Sequence, residues 1–174
     1  MPDIFLSYAE EDRETARVLV SLLEPLGWSV WWDRRIPAGQ TWRKVLDSAL
    51  ADMKCMLVLW STHSLSSEWV IEEAEEGKSL GKLVPILLEP IRPSRGFRVI
   101  QALDFARWDR SSGSHCFQAL VQDLRAMIGP GTPVKVSGRS AAPAPPPNPE
   151  VAGPRLSSAP SRLPRNSIEA EPKA

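Results

Sequence analysis

The segment Cys55 to Trp60 (CMLVLW) constrains the fold more than any other part of this sequence. Its consecutive apolar residues would cover both faces of a strand, which is typical of a central strand in a parallel sheet. Comparable short apolar runs lie at Asp3 to Tyr8 (DIFLSY), Trp28 to Trp32 (WSVWW) and Leu83 to Leu88 (LVPILL), with a weaker one at Leu103 to Ala106. The sequence therefore predicts five short strands.

Segments with helical periodicity separate these runs. Apolar side chains recur at helical spacing from Ala16 to Leu26 and again from about Phe117 to Ile128. Thr41 can cap a helix between the second and third strands, and Ser66 or Ser67 can cap another after the third strand. Strands and helices therefore alternate along the first 131 residues of the chain.

This alternation indicates an α/β fold. We expect a flavodoxin-like three-layer sandwich with a five-stranded parallel sheet in the order 2-1-3-4-5. Pro85 lies inside the fourth predicted strand and is difficult to reconcile with that assignment, because proline cannot donate a hydrogen bond to the ladder.

Composition limits the class of protein. The chain has 174 residues, of which 43% are hydrophobic, and this is enough for one packed domain. Its formal charge is zero, so we expect neither a nucleic acid nor an anionic membrane as a partner. Cys55 and Cys116 have no metal-site spacing, and no segment resembles a signal peptide or a membrane span. We therefore expect reduced cysteines, no bound metal and a cytoplasmic location.

The composition changes sharply near Gly129. Residues 132–174 contain ten of the seventeen prolines and almost no large apolar side chains. Such a segment cannot bury enough surface to offset the entropy of ordering it. We therefore expect a domain at residues 1–131 and a disordered tail or linker, rich in Pro, Ala and Ser, at residues 132–174.

Ligands of doubly wound sheets bind beyond the carboxyl ends of the strands, where the strand order reverses. Here that crevice would lie between strands one and three, lined by Ser7 to Arg13 and Ser61 to Trp69. Neither GxGxxG nor GxxxxGK[ST] occurs there, and no aspartate ends strand three as a receiver-type phosphorylation site requires. His63 could contact a ligand from this loop. We expect the serines of this loop to form hydrogen bonds within the loop and to cap the following helix. They are Ser61, Ser64 and Ser67.

The stretch SEWVIEEAEE (residues 67–76) begins in this loop and has four carboxylates within the five positions from Glu72 to Glu76. On a helix, Trp69 and Glu73 share one face beside the apolar stripe of Val70 and Ala74. Gly77 is four residues further on, so no basic residue can pair with Glu73 in that direction. Glu73 is therefore a candidate functional acid. A hydrated helix face is expected for the other three, Glu72, Glu75 and Glu76.

Five segments of this chain resemble those of TIR (Toll/interleukin-1 receptor) domains of bacterial type. They are PDIFLSYAEED (residues 2–12), GWSVWWDRRIPAGQTW (27–42), STHSLSSEWVIEE (61–73), GKLVPILLE (81–89) and FARW (105–108). The resemblance extends over about residues 2–128 and implies the flavodoxin-like sheet expected above. It does not include the proline-rich tail.

The resemblance also implies a chemistry, because enzymatic TIR domains hydrolyse or cyclise NAD and release nicotinamide. NAD would then be a substrate, and no cofactor is expected. The family's catalytic glutamate lies in a WxxxE pattern, which corresponds here to Trp69 and Glu73. We expect Trp69 to brace Glu73 more than to touch the ligand. The strand-one segment beside the family's nicotinamide and ribose pocket corresponds to Phe5, Ser7 and Tyr8.

The loop after strand two, Asp33 to Gln40, resembles the segment that reaches a neighbouring TIR domain. Asp33, Pro37 and Gly39 are therefore expected to take part in self-association into a homo-oligomer or filament. Trp42, just after this loop, could stack on nicotinamide or adenine, or could pack its own helix against the core.

The sequence departs from the family directly after strand one. Many enzymatic members carry basic residues after the strand-one aromatic, where this chain has Ala9, Glu10 and Glu11. Contacts to the NAD diphosphate would then come from Arg34 or Arg35 in the second loop, or from another subunit.

Two functions remain open at this point. The first is an NAD nucleosidase of bacterial immune signalling, activated by TIR self-association, with hydrolysis or cyclisation decided by the nucleophile that captures the ribose. The second is a non-catalytic adaptor that binds other TIR domains, with the tail as a tether or protein ligand. A host-directed effector is compatible with either function.

Overall fold

The computed structural model describes residues 2–32 and 48–132 of the chain. Within them lies a five-stranded sheet of β1 (Ile4–Ser7), β2 (Val30–Trp31), β3 (Cys55–Trp60), β4 (Leu83–Leu87) and β5 (Leu103–Asp104). All strand pairs are parallel, and the order is β2-β1-β3-β4-β5. The predicted fold class and strand order are therefore confirmed.

The helices lie between these strands. They are α1 (Arg13–Leu23), α2, of which residues 48–52 are described, α3 (Glu68–Ser79) and α4 (His115–Ile128). Short 3-10 turns precede α1 and α3, at Glu10–Asp12 and Ser64–Ser66, and a third at Glu24–Leu26 follows α1. That third turn ends at Gly27, whose φ of 94° is a left-handed conformation that glycine adopts readily.

Alternating side chains of the strands build two separate apolar cores. Ile4 and Leu6 of β1 pack with α1 and α4 on one face of the sheet. Phe5 of β1 packs with the described end of α2 and with α3 on the other face. The period of two along a strand therefore divides the domain into three layers.

The structure shows why Pro85 is compatible with β4. Leu88 donates its backbone N–H to Trp60 of β3, so by alternation the odd-numbered residues of β4 face β5. The pairing of β4 with β5 begins only at Ile86, opposite Leu103. The missing N–H of Pro85 therefore lies before the first paired position and costs no ladder bond.

The strands at the two edges are shorter than the sequence predicts. β2 has only Val30 and Trp31 where five residues were expected, and Trp28 instead donates its indole N–H to the carbonyl oxygen of Gly129 at 3.0 Å. β5 likewise ends at Asp104. An edge strand has one neighbour, so its apolar residues can pack against helices or chain ends without joining a ladder.

The described residues also bear on membrane spans and on the state of the two cysteines. No helix in residues 2–32 and 48–132 is long and apolar enough to cross a membrane. Cys55 is buried, Cys116 is half-buried, and both are free thiols. Thr41 and the proposed tail, apart from Thr132, lie outside the described residues.

Candidate active site at the carboxyl edge of the sheet

Helix α3 carries the candidate acid. Its N-cap is Ser67, one of the two predicted residues, whose side chain accepts a hydrogen bond from the backbone N–H of Val70. Val70 and Ala74 are fully buried against the sheet, as the apolar stripe predicted. The three other predicted surface acids are exposed, namely Glu72, Glu75 and Glu76.

Glu73 differs from these acids because its side chain is directed into the protein. Only 3% of the residue is exposed. Its Oε2 accepts a hydrogen bond from Ser7 Oγ at 2.5 Å, and its Oε1 accepts one from Trp69 Nε1 at 2.5 Å. Both carboxylate oxygens are thus held by donors, which compensates for the water that burial removes.

The two donors reach Glu73 by different routes. Trp69 is one helical turn earlier in α3, so the WxxxE spacing places its indole N–H over the carboxylate. Ser7 is the last residue of β1 and pairs with Val58 of β3. The carboxylate therefore lies where the first and third strands end, at the reversal of strand order.

Phe5 lies on the same face of β1 as Ser7, two residues earlier. It is completely buried and stacks on Trp31, with ring centroids 4.7 Å apart. Phe5 thus contributes to the apolar layer beneath Ser7 and Glu73 and presents no open surface in this conformation.

Tyr8 is separated from this group. It is only 4% exposed, belongs to the core on the α1 and α4 face, and donates its hydroxyl to the carbonyl oxygen of Trp32 at 3.2 Å. Consecutive residues of a strand point to opposite faces, so Ser7 and Tyr8 cannot line the same side of the sheet. The structure brings Ser7 and Trp69 to Glu73, with Phe5 below, and places Tyr8 elsewhere.

A second polar group at this edge was not predicted from the sequence. It surrounds the β3–α3 loop, residues 61–67. Asp12 Oδ2 accepts a hydrogen bond from Ser61 Oγ at 2.5 Å. Glu89, just after β4, accepts two bonds from Thr62, from Oγ1 at 2.6 Å and from the backbone N–H at 3.0 Å. No local spacing signals these pairs, because their partners are distant in sequence.

The two carboxylates of this group differ in their electrostatics. Burial raises the pKa of Asp12 above its ordinary value, and the hydrogen bond from Ser61 and the nearby His63 only partly oppose this. Hydrogen bonds from Thr62 lower the pKa of Glu89. His63 is exposed, and the structure places it in this loop without a described contact to Glu73.

The serines of the loop form the hydrogen bonds expected of them. Ser61 and Ser64 bond to each other, and Ser67 caps α3. In the part of the chain that the structure describes, no group of three or more His, Cys, Asp or Glu residues is arranged to hold a metal ion.

The remaining predicted site residues cannot be placed. They belong to the second loop and the start of α2, outside the described residues, and are Asp33, Arg34, Arg35, Pro37, Gly39 and Trp42. Their roles in substrate binding and association remain predictions. The role of Glu73 in catalysis likewise remains a prediction. The structure shows a buried, hydrogen-bonded carboxylate at the end of the sheet where ligands of such folds bind.

A doubly wound sheet with a WxxxE carboxylate at its switch point defines the class of this protein, and a family comparison agrees. The family model described as TIR domain matches residues 4–121. The chain therefore belongs to the TIR domain family, as its motifs predicted. The matched residues fall inside the range 1–131 predicted for the domain.

Two bacterial relatives are similar to the chain over part of its length. The "2' cyclic ADP-D-ribose synthase AbTIR" of Acinetobacter baumannii is 35% identical over 75 residues, which are 42% of this chain and 28% of that protein. The "NAD(+) hydrolase PdTIR" of Paracoccus denitrificans is 30% identical over 91 residues, which are 48% of this chain and 30% of that protein. The chain thus spans under a third of each of these relatives.

A solved structure supports the fold. The TIR domain of the Toll-related receptor TRR-2 from Hydra magnipapillata superposes with a TM-score of 0.62 at 23% sequence identity. The match covers 72% of this chain and 99% of that domain. Similarity at this level of identity concerns the architecture and not the chemistry.

Proposed function

We propose that this chain is an NAD nucleosidase of TIR type that cleaves the bond between nicotinamide and ribose. The observation that carries the proposal is the buried Glu73 carboxylate, held by Ser7 and Trp69 at the crevice between β1 and β3. The products are nicotinamide and either ADP-ribose or its cyclic form.

The reaction suits a single carboxylate. In NAD the nicotinamide is a cationic pyridinium, so when the C1′–N bond breaks its electron pair neutralises the ring and no general acid is needed. The ribose becomes an oxocarbenium-like cation, which a nearby carboxylate stabilises as in glycoside hydrolysis. Attack by water at C1′, with loss of its proton, gives ADP-ribose. Attack from within the same molecule gives a cyclic product, either by an adenine nitrogen or by a hydroxyl of the adenosine ribose that loses its proton.

Each described residue then has a defined role. Glu73 faces the developing charge on the ribose and accepts hydrogen bonds from its hydroxyls. Ser7 and Trp69 fix the orientation of that carboxylate from two sides. Phe5 supports the site from below through its stacking on Trp31. Trp42 and Arg34 are proposed to contribute aromatic and diphosphate contacts from the second loop.

The relatives support this choice of substrate. Both the Acinetobacter and the Paracoccus proteins have names that refer to ADP-ribose or NAD. We extend that substrate to this chain because the WxxxE glutamate has the buried, doubly hydrogen-bonded environment that a positioned carboxylate requires.

We further propose that the enzyme is active when TIR domains self-associate through the second loop, with Asp33, Pro37 and Gly39 at the contact. The role would be in bacterial immune signalling in the cytoplasm, and the tail at residues 132–174 would tether the domain or bind another protein.

A nicotinamide-release assay tests the activity. The purified 174-residue chain is incubated with NAD, both dilute and clustered on a multivalent support, and the products are separated by chromatography. We expect release that increases on clustering. The ratio of ADP-ribose to cyclic product measures hydrolysis against cyclisation, and the linkage in the cyclic product identifies the internal nucleophile. Glu73→Gln keeps the shape but removes the charge, and should lower kcat by about 100-fold or more.

Glu72→Gln is the matched control for this variant. Glu72 is the neighbouring residue on α3, is exposed, and should be replaced without loss of activity. Equal activity of wild type and a folded Glu73→Gln protein would refute the assignment of Glu73. Absence of nicotinamide release from the clustered wild-type protein would refute the enzymatic proposal itself.

A second candidate function is a non-catalytic TIR adaptor. The observation that favours it is the acidic turn after β1, where exposed Glu10 pairs with Arg13 at 3.1 Å and Glu11 is also exposed. These charges oppose a diphosphate. An adaptor should keep its binding to TIR partners in Glu73→Gln and lose it in Pro37→Ala or Gly39→Ala, with no nicotinamide released under any condition.

A further inference from the structure

Asp12 is a buried carboxylate that the proposed reaction does not use. It lies in the 3-10 turn after β1, and only 9% of the residue is exposed. Its Oδ2 accepts the 2.5 Å hydrogen bond from Ser61 Oγ. Because Ser61 directly follows β3, this bond joins the ends of the two strands that flank the crevice.

Ser61 extends this hydrogen-bond network into the β3–α3 loop. Its Oγ accepts from the backbone N–H of Ser64 at 3.1 Å, and its own backbone N–H donates to Ser64 Oγ at 2.7 Å. Both serines are completely buried. Ser64 begins the 3-10 turn that leads into the Ser67 cap of α3. The chain of bonds from Asp12 therefore ends at the start of the helix that carries Glu73.

Glu89 holds the same loop from the opposite side through its two bonds to Thr62. Its charge and that of Glu11 disfavour the ionised form of Asp12, whereas His63 favours it. The loop is thus fixed between the exits of β1 and β4. A buried acid that is costly to ionise and accepts a short hydrogen bond from the loop is suited to fixing the position of that loop.

We propose that Asp12 is a positioning residue for Glu73. Through the buried serines it sets the β3–α3 loop, and thereby holds the Glu73 carboxylate against Ser7. This inference rests on the proposed function, because the consequence of the positioning is the rate of nicotinamide release. Ser7 at the end of β1 thus contacts Glu73 directly, and Asp12 in the turn after β1 acts on Glu73 indirectly through the β3–α3 loop.

Steady-state kinetics of the 174-residue chain with NAD test the first consequence. Asp12→Ala should lower kcat by about 10-fold to 100-fold, since a displacement of about 1 Å can cost this much, while KM changes by less than about twofold. Asp12→Asn keeps an oxygen that can accept from Ser61 and should stay within about threefold of wild type. The matched control is Glu14→Ala at an exposed position in the first turn of α1, which should leave both constants unchanged.

A double-mutant cycle tests the route. If Asp12 acts through Ser61, the protein with both Asp12→Ala and Ser61→Ala should be no slower than the slower single variant. Losses that multiply would overturn this route. Circular dichroism melts establish that each variant is folded at the assay temperature, and Asp12→Asn and Ser61→Ala remain informative where Asp12→Ala does not fold.

A readout without substrate separates the two proposals. The indole N–H of Trp69 donates to Glu73, so its nuclear magnetic resonance signal, assigned with Trp69→Phe, reports where the carboxylate lies. The signal should shift in Asp12→Ala and Ser61→Ala but not in Glu14→Ala. If it shifts while the wild type releases no nicotinamide, the positioning stands and the enzymatic proposal fails. An unmoved signal in a folded Asp12→Ala protein overturns the positioning.

Discussion

At the scale of single residues, the environment of Glu73 depends on one local and one distant partner. Trp69 is four positions earlier on the same helix, whereas Ser7 comes from β1, 66 residues away in sequence. Burial of an ionised carboxylate without such donors would cost several kcal/mol. These two donors therefore help the apolar layer to tolerate the acid.

The two cysteines differ in environment at this scale, and this predicts their reactivity. Burial raises the pKa of Cys55 to about 12, so only about one molecule in ten thousand would carry the thiolate near pH 8. Cys116 is half-buried at the start of α4. A chromogenic disulfide reagent should therefore label one thiol per native chain rapidly and a second only after denaturation.

Cys116→Ser is the control for this measurement. It should remove the rapid phase and leave the slow one. Two rapid thiols in the native protein would contradict the burial of Cys55 in the core between the sheet and the α1 and α4 helices.

At the scale of elements, α3 is held close to the sheet by a residue without a side chain. Gly77 is buried, and a Cβ atom there would lie 2.5 Å from Sδ of Met56 in β3. The close approach also brings the buried stripe of α3 onto β3, where Glu73 meets the end of the neighbouring strand β1. A small residue at 77 therefore helps to determine the depth of the candidate acid.

Gly77→Ala should consequently destabilise the fold. Alanine improves helix propensity by about 1 kcal/mol, but overpacking a core costs about 1–3 kcal/mol, so we expect a net loss of about 1 kcal/mol in the free energy of unfolding. Urea denaturation measures this change. Glu76→Ala, at an exposed position of the same helix, should change it by less than about 0.5 kcal/mol.

Met56→Ala provides the test of the cause. It creates space beneath residue 77, so the double variant should lose less stability than the sum of the two single losses. Additive losses would show that contact between these two side chains is not the origin of the effect.

At the scale of the whole molecule, Asp3 connects three strands at the end of the sheet opposite the site. Its Oδ2 accepts from the backbone N–H and Oγ of Ser29, at 2.9 and 2.8 Å, and its Oδ1 pairs with Lys54 Nζ at 2.7 Å. These contacts connect the starts of β1, β2 and β3. They lie at the amino ends of the strands, whereas Glu73 lies at the carboxyl ends.

The Asp3 contacts should make stability depend on pH. Burial acts to raise the pKa of Asp3, but the hydrogen bonds with Lys54 and Ser29 outweigh it, and the pKa lies below its ordinary value of 3.8. A lowered folded-state pKa contributes stability that is present above the unfolded-state value and is lost as the pH falls through the folded-state value. Because the pair is partly exposed, we expect a contribution of about 1 kcal/mol.

Asp3→Asn should therefore unfold at lower urea concentration than wild type near neutral pH, and the difference should vanish below the folded-state pKa of Asp3. Nicotinamide release per folded molecule should be unchanged, because the substitution is at the far edge of the sheet. Glu14→Gln, in the fully exposed pair with Arg17, is the control and should not alter the midpoint. An equal loss at acidic pH would exclude the charge of Asp3 as its cause.

The sequence by itself determined the architecture and the candidate acid. The strand order 2-1-3-4-5 is expected from the flavodoxin-like architecture that the alternation of strands and helices and the family resemblance imply, and it is confirmed. The five strands follow from apolar runs such as Cys55–Trp60, and Glu73 follows from its spacing to Trp69 and the apolar stripe of α3. Both depend on periodicity within one element, which is a local property that side chains dictate directly.

Only the tertiary structure decided how the carboxyl edge is assembled. The hydrogen bonds between Ser7 and Glu73 and between Asp12 and Ser61 join positions far apart in sequence. Tyr8, just after β1, packs on the face of the sheet opposite to Ser7 because side chains alternate along the extended chain. No pattern within one element encodes such pairings, because they exist only after parallel strands bring distant turns to one edge of the sheet. The partners that orient the candidate acid are therefore a property of the folded chain.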